Sequence, residues 1–114
     1  MLVRTVALAL ALVPVTAGAA ELVAPSDLAA GWFNGKTITS TNSRGQSTSL
    51  MFTADGKVGL KDRQGKGQQG VWRKTADGFC MKLANAKRES CYIAIRQGDA
   101  VRVIRAGGAF TWRH

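Results

Sequence analysis

The sequence predicts an all-β protein: a small antiparallel up-and-down β-barrel of about eight strands, preceded by a short helical turn. Short segments with β-branched or alternating apolar residues follow one another from residue 36 to the end of the chain. Turn signals such as Asp55-Gly56 and Asp77-Gly78 recur between them, at intervals of about eight to twelve residues. The only two cysteines, Cys80 and Cys91, lie in neighbouring apolar segments. Together these features indicate one small domain with a cross-linked sheet.

The first twenty residues have the organisation of an export signal. Arg4 precedes an apolar run at Val6–Val15, and small residues follow that run. Because the run is too short to anchor the chain in a bilayer, we expect cleavage after Ala20 and no transmembrane span afterwards. The chain therefore divides into a signal peptide, 1–20, and a single β-barrel domain, 21–114. We expect a periplasmic or secreted protein.

The two cysteines predict a disulfide, since an exported chain reaches an oxidising compartment. A redox-active pair is the alternative, but the spacing of Cys80 and Cys91 is not C-x-x-C. The apolar residues Phe79, Met81 and Leu83 are odd-numbered, and so are Cys91, Ile93 and Ile95. With the cysteines directly opposite each other, these two sets would face opposite sides of the sheet. We expect a β-bulge to reset the register; otherwise one apolar set faces outward under the N-terminal segment.

The segment before the first strand predicts one or two turns of helix. Ser26 is the expected N-cap for a helix over Asp27–Ala30, and Leu28 is expected to plug one end of the barrel. We expect Trp32 and Phe33, which follow at once, to belong to the core.

Eight strands are expected after this helix, joined mainly by short turns. One connection differs: Asp62–Gly70 has three glycines and no apolar residue, so we expect a mobile, basic loop there. A barrel this short is expected to fill its interior with its own side chains. The expected strands are Lys36–Thr41, Thr48–Thr53, Lys57–Lys61, Val71–Lys74, Phe79–Leu83, Ser90–Ile95, Val101–Arg105 and Ala109–Trp112.

The chain has a large excess of positive charge, with 16 Lys and Arg against 7 Asp and Glu. Such an excess favours contact with anionic surfaces, or serves only to keep the protein in solution. The aromatic residues are expected inside the barrel, which together with export argues against nucleic acid as a partner. The basic residues form three groups, on the 62–70 loop with its entry, on the disulfide hairpin and on the last strands. The third of these groups consists of Arg96, Arg102, Arg105 and Arg113. The candidate anion-binding residues lie on the 62–70 loop with its entry and on the disulfide hairpin: Lys61, Arg63, Lys66, Lys87 and Arg88.

No catalytic constellation is present in the sequence. The only histidine is His114, the last residue, so zinc sites and Ser-His or Cys-His nucleophilic pairs lack their components. The aspartates occupy turn contexts, where they are expected for backbone reasons. We therefore expect no enzymatic activity, no cofactor and no metal site.

Three stretches together resemble a family of short exported bacterial proteins of unknown function. They are LAAGWFNGKT at Leu28–Thr37, FTADGKV at Phe52–Val58, and GVWR…GFC…ESCY between Gly70 and Tyr92. The resemblance covers nearly all of the chain after the leader. It implies a small secreted β-barrel with a G-x-W strand and a C…C-Y disulfide hairpin, and it brings no catalytic residues.

The leading functional hypothesis is a non-enzymatic exported binding protein for an anionic envelope component or an acidic partner. The alternative is an inhibitor of a hydrolase of the protease or lysozyme type, in which the glycine-rich loop would plug an active site. The positive charge of the chain is unfavourable for binding a basic lysozyme. A third hypothesis is a structural or stress protein of the envelope that binds no small ligand.

Overall fold

The computed structural model describes residues 21–114, so the predicted signal peptide lies outside the described residues. These residues form nine β-strands and one short helix. In chain order the elements are β1 Glu21–Leu22, α1 Pro25–Gly31, β2 Thr37–Asn42, β3 Ser47–Phe52, β4 Lys57–Lys61, β5 Gly67–Lys74, β6 Phe79–Leu83, β7 Ser90–Gln97, β8 Ala100–Arg105 and β9 Gly108–Arg113.

Strands β2 to β9 form a closed antiparallel barrel. Each strand pairs with the next one in sequence, and β2 pairs with β9 to close the ring. At this seam Ser40 lies opposite Trp112, whose indole Nε1 donates a hydrogen bond of 3.2 Å to the serine hydroxyl. The prediction of an all-β, antiparallel barrel of eight strands is confirmed.

Strand β1 is an addition that the sequence did not predict. Leu22 pairs with Ile95 of β7, and the backbone N–H of Val23 donates to the carbonyl oxygen of Ala94 at 2.8 Å. Strand β6 pairs with β7 only as far as Tyr92. The β1 segment therefore continues the barrel wall beside β7 where β6 no longer reaches.

Helix α1 begins earlier than predicted, and the predicted N-cap is wrong. The helix starts at Pro25, its N-cap residue is Ala24, and no side chain caps it. Proline suits the first turn because its fixed φ is helical and its missing N–H would have had no partner there. Ser26 consequently lies inside the helix. Leu28 is fully buried, in agreement with its predicted role as a plug.

The core is dominated by aromatic rings that cluster around Phe33. Its ring centroid lies 4.1 Å from that of Phe52, 4.6 Å from Trp72 and 5.1 Å from Phe79. Phe33 is only 1% exposed. Because Phe33 lies two residues after the end of α1, the aromatic cluster attaches the helix to the barrel. The expectation that Trp32 and Phe33 belong to the core is confirmed, since both are buried.

The predicted 62–70 loop is wrong in its extent, since β5 already begins at Gly67. Gln68 and Gln69 pair with Leu60 and Gly59 of β4 through their backbones. Gly70 is required by close packing, because a Cβ there would lie 2.8 Å from the Cα of Leu83 on β6. Backbone pairing needs no apolar side chain, which is why composition alone misassigned this half of the strand.

The predicted β-bulge at the cysteines is also absent. Cys80 lies directly opposite Cys91 in a regular hairpin, and the two form the predicted disulfide. The inward residues of β7 are the even-numbered Tyr92 and Ala94, which are buried, so the odd-numbered isoleucines face outward. Of these, Ile95 pairs with a residue of β1. One apolar set therefore faces outward, as in the alternative, but the N-terminal segment pairs edge to edge with β7 and does not lie over that set.

Candidate functional site

The up-and-down topology gives the barrel two ends of different character. Connections between successive strands alternate between the ends, because neighbouring strands are antiparallel. We call the end with the 43–46, 62–66, 84–89 and 106–107 connections the turn end. The other, the helix end, holds α1, the 53–56, 75–78 and 98–99 connections, and His114.

All five predicted binding residues lie at the turn end. Lys61 is the last residue of β4, and the connection that follows it carries two further cations. Two more occur in the next connection around this end, the one between β6 and β7. Every one of the five is exposed. The residues are Lys61, Arg63, Lys66, Lys87 and Arg88.

The turn end holds more uncompensated positive charge than the helix end. It also includes Arg44 and Arg105, while its only carboxylates among residues 21–114 are Asp62 and Glu89. At the helix end positive and negative groups are balanced among the described residues: Lys36, Lys57, Lys74, Arg96 and Arg113 against Glu21, Asp27, Asp55, Asp77 and Asp99. The net positive charge of the domain is therefore concentrated at the turn end and along the barrel wall.

Both carboxylates of the turn end are already engaged. Asp62 accepts backbone N–H bonds from Gln64 at 2.9 Å and from Lys66 at 2.8 Å, which fixes the β4–β5 turn. Glu89 accepts two hydrogen bonds from the guanidinium of Arg73, at 2.9 and 2.7 Å. These hydrogen bonds from Arg73 lower the pKa of Glu89, and they raise the pKa of Arg73 in turn. Neither carboxylate pairs with one of the five candidate cations.

A polar pocket of about 300 Å³ opens at the turn end, within the range of small ligand sites. Its lining includes Ser40, Asn42, Thr48 and Phe110, and also the acidic residue Asp62, whose carboxylate accepts the backbone N–H bonds of its own turn. Arg63 is the only cation that lines it. We call it the mouth pocket, and it joins the rim of cations to the polar upper part of the barrel interior.

The third basic group of the sequence does not join this surface as a unit. Arg96 lies at the helix end, where its Nε is 3.9 Å from a carboxylate oxygen of Glu21. Arg113 also lies at the helix end, and Arg102 faces outward midway along β8. Only Arg105 reaches the turn end.

One cluster of metal-ligating residue types occurs among residues 21–114: Cys80, Glu89 and Cys91. Both sulfur atoms belong to the disulfide, so they are not thiolates that could bind a metal. The ring of His114 stacks on Trp32, with 3.9 Å between the centroids. Among the described residues, the two cysteines are therefore engaged in a disulfide, and the histidine makes a stacking contact.

Sequence reasoning missed Arg44, Arg105 and the polar residues of the mouth pocket. A usable signal was present, since every second connection of an up-and-down barrel lies at the same end. Applied to the predicted strands, this rule places Arg44 and Arg105 at the same end of the barrel as Arg63 and Lys87. The mouth pocket had no such signal, because Ser40 and Thr48 are ordinary strand residues in sequence.

Comparison of the chain with protein-family models, curated proteins and solved structures finds no match. The resemblance to short exported proteins therefore stays a prediction. Within residues 21–114, no helix has both the length and the apolar character needed to cross a membrane.

Proposed function

We propose that this protein is a non-enzymatic exported binding protein whose turn end binds an anionic envelope component or an acidic partner. The observation that carries the proposal is the convergence of Lys61, Arg63, Lys66, Lys87 and Arg88 on one end of the barrel. Because the turns that carry them are neighbours around the rim, one partner surface can contact both turns at once.

Electrostatics supports this surface over the rest of the molecule. A charged partner is steered by uncompensated charge, and like charges gathered on one surface strengthen that field. The carboxylates of the turn end do not neutralise the rim, since Asp62 holds its own turn and Glu89 binds Arg73. The helix end offers no comparable field because its charges balance.

The mouth pocket adds a place for a single anionic group. Arg63 presents a guanidinium that can hold a carboxylate, sulfate or phosphate through two hydrogen bonds. The hydroxyls of Ser40 and Thr48 line the same pocket and can donate to further oxygen atoms of that group. A partner that carries an exposed acidic group on an otherwise polar surface matches this arrangement.

The test measures binding to two probes, poly-glutamate and heparin, by titration calorimetry. The turn-end variant replaces Arg63, Lys66 and Lys87 with glutamine. If each exposed cation contributes about 0.5–1 kcal/mol, the triple variant should bind about 10- to 150-fold more weakly. Wild-type binding should also weaken as the salt concentration rises from about 0.1 M to about 1 M.

The control is a helix-end variant with the same change of net charge, in which Lys36, Lys74 and Arg113 become glutamine. Because these residues lie at the balanced end, its affinity should remain close to that of the wild type. Equal losses in the two triple variants would mean that only net charge matters. That result, or binding that is insensitive to salt, contradicts the proposed site.

The inhibitor hypothesis loses the mechanism from which it started. Residues 67–70 belong to β5 and pair with β4, so they do not form a loop that could enter an active site. A hydrolase that recognises the compact 62–66 turn would appear as a partner with one-to-one stoichiometry in the same binding experiment.

A further inference from the structure

Three large apolar side chains are exposed among residues 21–114, and two of them lie on one outer wall of the barrel. Met51 of β3 is 43% exposed and Val71 of β5 is 57% exposed. Gly59 of β4 pairs with Met51 on one side and with Gln69 on the other, two residues before Val71, and it has no side chain to cover either apolar residue. An open groove runs along the outside of β4 past Met51 and Gly59, with volumes of about 570 and 250 Å³. Val71 lines an adjoining hollow of about 300 Å³ together with Lys82.

Lysines frame this apolar surface. Val71 lies directly between Lys57 on β4 and Lys82 on β6, since it pairs with both. Lys61 lies farther along the groove, opposite Gly67. None of the three lysines pairs with a carboxylate of residues 21–114. We call this surface, formed by Met51, Lys57, Lys61, Val71 and Lys82, the lysine-framed wall.

Acidic residues are absent from the outward positions of the strands that form the wall. The outward residues of β2 and β3 are Thr and Ser apart from Met51, and those of β4 and β5 are basic, Gly or Gln apart from Val71. A second copy of this chain is a poor occupant, because its lysines would face these lysines.

We propose that the lysine-framed wall docks on the surface of a bilayer that contains anionic lipid. Exposed apolar side chains gain free energy by entering the boundary between headgroups and acyl chains. Lysine suits the edge of such a contact, because its aliphatic stem can lie along the apolar surface while its ammonium group reaches lipid phosphates. The wall shares only Lys61 with the turn-end site, and the variants that test it change Met51, Val71, Lys57 and Lys82, which lie outside the turn end.

The experiment measures co-sedimentation with vesicles of phosphatidylcholine alone, or of equal parts phosphatidylcholine and phosphatidylglycerol. The wild type should bind the mixed vesicles and not the neutral ones. Met51→Ser with Val71→Thr should weaken that binding by about 20-fold, because two half-exposed apolar side chains no longer insert. Lys57→Gln with Lys82→Gln should weaken it by about 30-fold, because two lysine contacts with lipid phosphates are lost.

The matched control is Leu22→Ser, which removes a side chain that is 49% exposed on β1, away from this wall. It should leave vesicle binding unchanged. A thermal melt of each variant verifies that it is folded. Because all the replaced apolar side chains are exposed, we expect the variants to fold.

Several results would overturn the proposal. These are mixed-vesicle binding by the Met51 and Val71 variant at wild-type strength, an equal loss in the Leu22 variant, or equal binding to neutral vesicles. If the wild type binds poly-glutamate and the Met51 and Val71 variant does not, the wall belongs to an acidic peptide. If the wild type is a dimer and the Met51 and Val71 variant is a monomer, the wall belongs to a second copy of the chain. Loss of vesicle binding only in the Arg63, Lys66 and Lys87 variant would refute the wall and leave the turn-end proposal standing.

Discussion

Replacing Phe33 with alanine removes the ring through which helix α1 is packed into the barrel. The ring is 1% exposed, and its centroid lies 4.1 Å from that of Phe52 and 4.6 Å from that of Trp72. Truncating a buried phenylalanine costs about 3–5 kcal/mol of the free energy of unfolding. Each lost aromatic pair adds about 0.5–1.5 kcal/mol beyond the buried area, which favours the upper part of that range. We expect a loss of about 4–5 kcal/mol.

Urea unfolding followed by far-UV circular dichroism measures this loss. With a slope of about 1 kcal/mol per molar urea, the midpoint should fall by about 4 M. Because a domain of this size has a total stability of about 5–15 kcal/mol, the variant should lie close to its unfolding transition even without urea.

The matched control in the same N-terminal segment is Leu22→Ala, which truncates a side chain that is 49% exposed. Its free energy of unfolding should change by no more than about 0.5 kcal/mol. A loss of less than about 1 kcal/mol for Phe33→Ala would refute the reasoning, because a buried ring of this size cannot be removed so cheaply from a packed core. So would equal losses in the two variants.

Three further predictions concern the sheet around the disulfide. Gly78→Ala should cost about 2 kcal/mol or more of the free energy of unfolding, since its Cβ would lie 2.9 Å from a carbonyl carbon of β7. Replacing Cys80 and Cys91 with alanine should cost about 3 kcal/mol, because the bridge closes a loop with a sequence separation of 11. Glu89 stabilises the fold while ionised, because its pKa is lowered by hydrogen bonds from Arg73; that contribution should be lost as the pH falls through this lowered pKa. The stability gap between wild type and Glu89→Gln, measured by urea unfolding, should therefore close toward acid pH.

Each of these predictions has its own control. Gly59→Ala is the partner of the first, because no atom lies within 4 Å of a Cβ placed there, so it should be tolerated. For the disulfide, reduction of the wild type should give the same loss as the double variant, and no loss on reduction would contradict the loop-closure estimate. For the ion pair, Arg73→Gln should abolish the acid dependence as Glu89→Gln does. A stability difference between the wild type and Glu89→Gln that stays constant down to acid pH would contradict the predicted role of the ion pair.

The strands with alternating side chains could be predicted from the sequence almost to the residue. Lys57–Lys61 and Phe79–Leu83 have the predicted bounds, since an Asp-Gly turn precedes each and an alternating apolar face runs through both. Polar backbone pairing had no such signal. Residues 67–70 form the first half of β5 although all of them are Gly or Gln, and the two residues of β1 are too few for a pattern to emerge.

The register at the cysteines was mispredicted for a different reason. The isoleucines of β7 give the stronger apolar pattern, but the inward residues of this strand are Tyr92 and the small Ala94, which fill space next to the aromatic cluster. A small residue counts little in an apolar pattern, yet it is what fits beside large rings.

The candidate cations could be chosen from the sequence, but their grouping needed a second step, the alternation of turns between the two ends of an up-and-down barrel. Lys61–Lys66 and Lys87–Arg88 are separated by about two strands of chain, and only the ring order of the strands makes their turns neighbours. The lysine-framed wall could not be predicted in this way. Val71 becomes a partner of Lys57 and Lys82 through the registers of two different hairpins.

The seam between β2 and β9 has a consequence for how the chain reaches its native state. Thr39 pairs with Arg113, so the last contact of the ring joins residues from the two extremes of the domain. Topologies rich in such distant pairings fold slowly, within about milliseconds to seconds, because chain entropy must be lost before those contacts form. Until β9 has been synthesised and released, β2 has an open edge that can pair with other chains. Protection from aggregation is therefore acquired only at the end of folding, and a chain that lost its last few residues would never acquire it.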